Sequence, residues 1–134
     1  MRDIISVGEV LIDLTQTGTT DQGIPAFAAN PGGAPANVAV AAARLGAETA
    51  FFGKVGRDSF GAYLRRVLEE NGVDCSGLRT GSQPTTLAVV SVDSRGERDF
   101  QFIRGADCTL SPEEVDEEAL GRTKFLHFGS VSLT

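Results

Sequence analysis

Residues 31–39 read Pro31-Gly32-Gly33-Ala34-Pro35-Ala36-Asn37-Val38-Ala39 and carry the most informative pattern of this 134-residue chain. Two adjacent glycines stand directly before an alanine-rich segment, in which Pro35 suits the first helical turn and Gly46 suits the helix end. Glycines at the start of a helix let a ligand approach the backbone at the positive end of the helix dipole. The pattern predicts a helix over residues 35–45, preceded either by a ligand-binding loop or by a plain glycine-rich turn.

Strand and helix patterns alternate on both sides of this loop. Short apolar runs predict buried strands, and segments with a capping residue and an apolar face predict helices between them. This alternation is typical of a parallel α/β sheet with flanking helices. The predicted strands are residues 4–7, 49–52 and 124–128, and the predicted helices are residues 35–45, a segment from Asp58 to Gly72, and a segment from the capping box at Ser111 to Gly121.

Two regions do not fit this alternation. Residues 10–15 alternate in hydropathy and predict an extended chain, whereas residues 16–31 are polar, contain glycine and proline, and predict a loop or a small hairpin. The β-rich runs 87–92 and 98–103 are joined by a turn-forming segment, which predicts a second hairpin. We expect these regions to form a small β-rich appendage outside the main sheet.

Charge and composition limit the classes of partner. Twelve basic and eighteen acidic residues give a formal net charge of −6, so neither a nucleic-acid nor a membrane partner is expected, because both call for a basic face. No apolar run approaches the ~20 residues that span a membrane. The N-terminus does not read as a secretory signal, so a cytoplasmic location is expected. Cys75 and Cys108 lack metal-binding spacing and predict reduced thiols.

Three polar side chains are candidates for binding a ligand. Asp13 follows the first predicted strand, where ligands bind in α/β sheets, and its carboxylate can accept hydrogen bonds from two hydroxyls. Asn37 lies in the first turn of the predicted helix, where its amide can donate and accept. Arg104 follows the aromatic residues of the second hairpin and suits a phosphate, a carboxylate or a sugar hydroxyl. A structural alternative stays open for each residue: a turn-forming Asp13, a backbone-bonded Asn37 and a solvated Arg104.

These residues resemble the ribokinase-like, PfkB-type carbohydrate kinases. The first signature of that family is matched, at its relative spacings, by Gly32-Gly33, Pro35, Asn37, Ala39, Gly46 and Gly56. Gly8-Glu9 with Asp13, residues 56–61 and residues 98–112 are also similar, so the resemblance covers essentially the whole chain. The variant Gly-Gly-Ala-Pro-Ala-Asn resembles fructokinases more than ribokinases.

The resemblance implies a fold, a reaction and a set of site residues. The fold is a Rossmann-like α/β domain, with a parallel sheet and flanking helices, that carries a small β-sheet lid near residues 14–30 and 85–104. The family phosphorylates a sugar hydroxyl with ATP and Mg²⁺, and in many members the lid also forms a homodimer interface. The implied sugar-binding residues are Asp13, Gly32, Gly33, Asn37, Phe102 and Arg104, the last two in the lid.

The chain departs from the family in its length. Family members are more than twice as long, and their second signature contains a Gly-Ala-Gly-Asp stretch that supplies the catalytic Asp. Gly105-Ala106-Asp107 lacks one of its glycines. We therefore expect residues 1–134 to be the N-terminal part of one ribokinase-like domain, truncated, with no catalytic residue and no metal ligand, and with no assignable ATP site. Fructokinase is the favoured activity; 2-keto-3-deoxygluconate kinase, another PfkB-type kinase, and a non-catalytic sugar-binding or dimerisation module are the alternatives.

Overall fold

The order of strands and helices along the chain confirms the α/β pattern. The computed structural model describes residues 1–131. In chain order its elements are β1 (Ile4–Gly8), β2 (Leu11–Thr19), β3 (Pro25–Gly32), α1 (Ala34–Arg44), β4 (Thr49–Gly56), α2 (Ser59–Glu70), β5 (Leu78–Gly81), β6 (Leu87–Val92), β7 (Arg98–Ile103), α3 (Glu117–Gly121) and β8 (Phe125–Gly129). Two short 3-10 turns, Ala106–Thr109 and Pro112–Glu114, precede α3.

Four parallel strands form the main sheet in the order β5-β4-β1-β8. The register places Ile4 of β1 opposite Thr49 of β4 on one side and opposite Phe125 of β8 on the other. β4 continues to Gly56, beyond its predicted end, and this extension pairs with β5. β5 was not predicted, because four residues are too few to show a hydropathy period.

Helices cover both faces of the main sheet. On one face Phe51 of β4 belongs to the same buried cluster as Leu64 of α2. On the opposite face Phe52 packs with Ala119 of α3. Burial on both faces is what a parallel sheet requires, and it explains why the strands of the main sheet read as continuous apolar runs.

Two hairpins form a second sheet in the order β3-β2-β6-β7. Each hairpin is antiparallel, and the two hairpins join through the parallel pair β2–β6. Residues 87–103 thus lie outside the main sheet, as predicted, and residues 16–31 belong to a hairpin rather than a loop. One face of this sheet, with Ile12 and Leu87, packs into the core, and the opposite face carries Asp13.

The prediction of one helix from Ser111 to Gly121 is wrong. The capping box at Ser111 is present, but it begins only the 3-10 turn Pro112–Glu114, and α3 begins at Glu117. Between them Val115 is extended and packs under the main sheet. Packing of this apolar side chain outweighs the local preference for a continuous helix.

Two expectations from composition can be compared with the structure. Within residues 1–131, no helix is long and apolar enough to cross a membrane. Cys75 and Cys108 are free thiols, as predicted. Burial raises the pKa of the Cys75 thiol to about 11, so Cys75 is a structural thiol rather than a reactive one.

Candidate functional site

The carboxyl ends of β1 and β8 border a cavity of about 180 Å³. Gly8 and Gly129 end these two strands and line the cavity together with Asp107 and Cys108. The second sheet begins at Leu11, directly after β1, and therefore rises from the same edge. Ligands of α/β folds bind at the carboxyl edge of the parallel sheet. We take this edge, with the Asp13 face of the second sheet, as the candidate site.

Asp13 presents a half-buried carboxylate to this site. Its side chain makes no hydrogen bond or ion pair with any of residues 1–131. Burial raises the pKa of Asp13 above its ordinary value of 3.8. A carboxylate in this environment is unfavourable until donors reach it. A ligand that brings hydroxyl groups would supply those donors.

The two glycines of the 31–39 motif have separate geometric roles. Gly32 leaves room for Asp13, because a Cβ at Gly32 would collide with Oδ2 of that carboxylate. Gly33 is the N-cap of α1 and has a φ of +105°, in the region that favours glycine. A Cβ at Gly33 would also lie 2.5 Å from the carbonyl oxygen of Glu9. The motif thus shapes both the Asp13 pocket and the turn into α1.

Asn37 lies in the first turn of α1 with a side chain available to a ligand. Its backbone N–H donates to the Gly33 carbonyl at 2.9 Å. Its exposed amide makes no hydrogen bond with the described part of the chain. The Ser6 hydroxyl donates to the Pro35 carbonyl at 2.6 Å and so fixes the start of α1 to β1. The amide of Asn37 therefore sits on a fixed helix start and can both donate and accept.

Asp13 and Phe102 lie in one row across the second sheet. The register aligns Asn30, Asp13, Ala88 and Phe102 on neighbouring strands, so their side chains share a face. Phe102 is 39% exposed and packs edge-to-face on Phe100, with ring centroids 4.8 Å apart. The row therefore presents a carboxylate and an aromatic ring on the same face.

Arg104 is held by a buried acid that the sequence analysis did not select. Its Nη2 donates to Oδ2 of Asp107 at 2.9 Å, and its Nε lies 3.5 Å from Oδ1. Asp107 also accepts a hydrogen bond from the Thr86 hydroxyl, which in turn accepts the Gly105 N–H at 2.9 Å. The hydrogen bond with Asp107 raises the pKa of Arg104 above its ordinary value. Arg104 is therefore neither a solvated arginine nor an unpaired cation.

Glu9 is a second buried acid that was missed as a site residue. Its carboxylate accepts hydrogen bonds from the backbone N–H and hydroxyl of Ser130 and from the backbone N–H of Val131, at 3.0–3.3 Å. These bonds join the end of β1 to the end of β8 and so fix the edge of the candidate site. The only feature of the sequence that could have pointed to Glu9 is that this acid stands next to the apolar Val10.

Residues 56–61, which resemble the family, build a junction rather than the site. Asp58 caps α2 by accepting the Gly61 N–H at 2.8 Å. It also accepts the Thr85 N–H at 2.8 Å and the Thr85 hydroxyl at 2.7 Å. Burial acts to raise the pKa of Asp58, but hydrogen bonds from Thr85 and Gly61 outweigh it, so the pKa lies below its ordinary value. Asp58 therefore connects α2 to the chain that enters β6.

A protein-family model and curated relatives both match this chain over almost its whole length. The family model described as pfkB family carbohydrate kinase matches residues 1–134. A probable fructokinase-4 of Arabidopsis thaliana is 46% identical over 136 residues, which cover 97% of this chain and 41% of that protein. Fructokinase-1 of Zea mays is 45% identical over 135 residues, covering 97% and 42%. The chain thus spans about two-fifths of the length of these relatives.

Solved structures agree with the sequence comparison. Fructokinase from Xylella fastidiosa superposes with a TM-score of 0.87 at 38% identity, covering 96% of this chain and 41% of that protein. A structure of fructokinase from the same organism with bound ATP gives a TM-score of 0.86 at 37% identity, covering 96% and 42%. The expected fold class, a parallel α/β sheet with a small second sheet, is confirmed. Because the family model matches the chain from end to end, the chain belongs to the pfkB family of carbohydrate kinases.

Proposed function

We propose that this chain supplies the sugar-binding part of an ATP-dependent sugar kinase whose substrate is fructose. The half-buried carboxylate of Asp13 is the observation that carries the proposal, because it has no partner within residues 1–131. Sugar hydroxyls donate well to a carboxylate, and each such bond contributes about 1.5–3 kcal/mol. The fructokinases of A. thaliana, Z. mays and X. fastidiosa support fructose as the sugar.

The remaining site residues complete a cradle for a polyol. Gly32 and Gly33 let the sugar approach the backbone, Asn37 donates to and accepts from its hydroxyls, and Phe102 covers an apolar face of the ring. Arg104 bonds a further hydroxyl with the part of its guanidinium that Asp107 leaves open. Residues 1–134 act as the N-terminal part of one ribokinase-like domain, with the second sheet as its lid.

Phosphoryl transfer requires groups that we do not assign to this chain. The X. fastidiosa fructokinase with bound ATP supports ATP as the phosphoryl donor. Mg²⁺ follows from the chemistry of phosphoryl transfer. Within residues 1–131 no three His, Cys, Asp or Glu side chains converge to hold a metal ion, and we assign no Mg²⁺ ligand to them. We assign no general base and derive no step through the metal.

The lid also supports a homodimer as part of the proposal. Phe100 and Phe102 lie on the sugar-facing side of the second sheet. Phe27 and Ile103 lie on the opposite side, outside the part that packs into the core through Ile12 and Leu87, and are 38% and 45% exposed. A lid can therefore cover the sugar with one face and contact a second copy with the exposed outer part of the other. A cytoplasmic location stays a prediction from the sequence.

Titration calorimetry of the 134-residue chain with fructose tests the proposal. Heat of binding is expected for the native chain and is expected to disappear in Asp13→Asn. Asp21→Asn is the matched control, because Asp21 is an exposed acid in the β2–β3 turn. Equal fructose affinity in Asp13→Asn and in the native chain, with both folded, would refute the assignment of Asp13.

A further inference from the structure

The carboxylate of Asp107 is almost completely buried beside the candidate site. Only 1% of its side chain is exposed, against 29% for the side chain of Arg104. The guanidinium contacts both carboxylate oxygens, and the Thr86 hydroxyl donates to one of them. A buried carboxylate held in this way keeps its partner in one orientation. The orientation of Arg104 is therefore set by Asp107.

This ion pair lies beside the row that contains Asp13. Thr86 directly precedes β6, Arg104 directly follows β7, and the pair Leu87–Ile103 next to them is the last of the β6–β7 register. Thr86 and Arg104 also share Asp107 as a hydrogen-bond partner. Two residues along a strand are about 7 Å, so the neighbouring row is within reach of the same sugar-sized ligand. Asp107 also lines the cavity at the ends of β1 and β8.

The pair changes the charge that a ligand meets. Arg104 alone would attract a substrate carboxylate, since guanidinium binds carboxylates in a bidentate manner. Asp107 already occupies that bidentate position and neutralises the charge. Asp13 contributes a second carboxylate on the same face of the sheet. An acidic ligand would therefore be repelled by the charge of two carboxylates, with one guanidinium to offset them, whereas an uncharged polyol finds donors and acceptors.

We propose that Asp107 determines substrate specificity: by neutralising Arg104, it makes the site accept an uncharged sugar and reject a sugar acid such as 2-keto-3-deoxygluconate. This inference rests on the proposed function and narrows its substrate class. Asp107 acts through Arg104 and is a positioning residue.

The experiment compares two substrates on a polypeptide that contains residues 1–134 within the full length of the fructokinase relatives. The value of kcat/KM is measured with fructose and with 2-keto-3-deoxygluconate, for the native protein and for Asp107→Asn. Asparagine keeps the shape and the acceptor for Thr86 while it removes the charge. We expect the ratio of the two values to shift toward the sugar acid by about tenfold or more in Asp107→Asn. Its KM for the acid is also expected to rise with salt concentration.

Glu114→Gln is the matched control, because it removes the charge of a carboxylate that pairs with Lys54 at 2.8 Å outside the site. Its substrate ratio is expected to equal that of the native protein. A purely structural role of Asp107 would lower both kcat/KM values together and leave their ratio unchanged, and that result would overturn the proposal.

A measurement on the native protein keeps the proposal testable if Asp107→Asn does not fold. Gluconate and sorbitol, which differ mainly by a carboxylate, are compared as inhibitors of fructose phosphorylation. The inhibition constant of sorbitol is expected to be lower than that of gluconate by about tenfold or more. Equal or stronger inhibition by gluconate, with fructose still phosphorylated, would overturn only the role of Asp107. If neither fructose nor 2-keto-3-deoxygluconate is phosphorylated, the proposed function is overturned and this inference with it.

Discussion

The carboxylate of Asp13, proposed to bind the sugar, weakens the fold that holds it. Burial raises the pKa of Asp13 above its ordinary value of 3.8, so the folded chain disfavours its charged form. For an acid with a raised pKa, folding binds protons, and stability falls as pH rises through the interval between the two pKa values. The unfavourable contribution of the ionised Asp13 to the free energy of unfolding is therefore fully present at pH 7 and absent well below pH 3.8.

We predict that Asp13→Asn slightly increases the free energy of unfolding at pH 7 while it abolishes fructose binding. Asparagine is nearly isosteric and carries no charge that burial can penalise. Urea unfolding at pH 7 and at pH 3 checks the sign, because the gain should shrink at the lower pH. Asp13→Asn that is less stable than the native chain at pH 7 would mean that the carboxylate has a stabilising partner.

Gly33 is required both by its conformation and by its contact, and the chain offers a control that separates the two. Gly46, just after α1, has a φ of +96°, and no atom lies within 4 Å of the position that a Cβ would occupy there. Alanine at Gly46 meets only the backbone penalty of about 1–2 kcal/mol. Alanine at Gly33 meets that penalty and also the carbonyl oxygen of Glu9 at 2.5 Å.

We predict that Gly33→Ala lowers the free energy of unfolding by about 1–3 kcal/mol more than Gly46→Ala does. Chemical denaturation of the two variants measures the difference. Fructose affinity should fall only in Gly33→Ala, because Gly46 is remote from Asp13 and Asn37. Equal losses of stability would show that the close approach to Glu9 contributes nothing.

The candidate site residues that could be predicted are those that stand out in their local sequence. Asp13, Gly33 and Asn37 stand out because each breaks or precedes a short regular pattern. Glu9 was missed because its partner Ser130 lies 121 residues along the chain, and no spacing rule connects them. Asp107 reads in the sequence as the exit of a hairpin, because no local pattern shows that its carboxylate is buried and held by Thr86 and Arg104.

At the scale of elements, the junction at Asp58 joins a helix to the second sheet. Its three hydrogen bonds come from Gly61 and Thr85, one bond from the helix and two from the segment before β6. The pKa of Asp58 is lowered because these bonds outweigh the effect of burial. An acid with a lowered pKa contributes stability above its unfolded pKa and loses it as pH falls through the folded pKa.

We predict that Asp58→Ala lowers the free energy of unfolding by about 2–4 kcal/mol at pH 7. The loss should diminish as pH falls from the ordinary pKa of 3.8 to the lower pKa of the folded chain, below which Asp58 is protonated in the native chain as well. Asp116→Ala is the control, since Asp116 caps the short helix α3 through one exposed hydrogen bond. Calorimetric unfolding of both variants provides the comparison, and a loss for Asp58→Ala no larger than that for Asp116→Ala would contradict the junction.

Elements were predictable where local pattern and tertiary packing agree. α1 and α2 carry start and stop residues that match their observed ends within one or two positions. The prediction of a helix after Ser111 failed because Val115 packs against the main sheet in an extended conformation. No rule based on local sequence contains this interaction. The pairing of the two hairpins through β2 and β6 was likewise invisible, since it joins residues 12–15 with residues 87–90.

At the scale of the whole molecule, the candidate binding residues are all present, whereas the main sheet is left uncovered at β8. The proposed sugar cradle has its carboxylate, amide, glycines and aromatic ring in place. By contrast, Phe125 and Phe128 of β8 are 69% and 60% exposed, although a parallel strand is normally covered on both faces. The chain spans about two-fifths of the length of its fructokinase relatives. Binding and phosphoryl transfer are therefore separable in experiment.

We predict that residues 1–134 bind fructose but do not phosphorylate it. Transfer needs a held γ-phosphate, a metal ion and a group that orients or deprotonates the attacking hydroxyl, and residues 1–131 contain no cluster that could hold the metal. A coupled assay with fructose, ATP and Mg²⁺ on the purified chain should give the rate of the blank, beside a polypeptide of full family length that turns over. Turnover by the short chain that survives repurification and disappears in Asn37→Ala would contradict the prediction, because the chain would then contain a phosphoryl-transfer site that its described residues do not reveal.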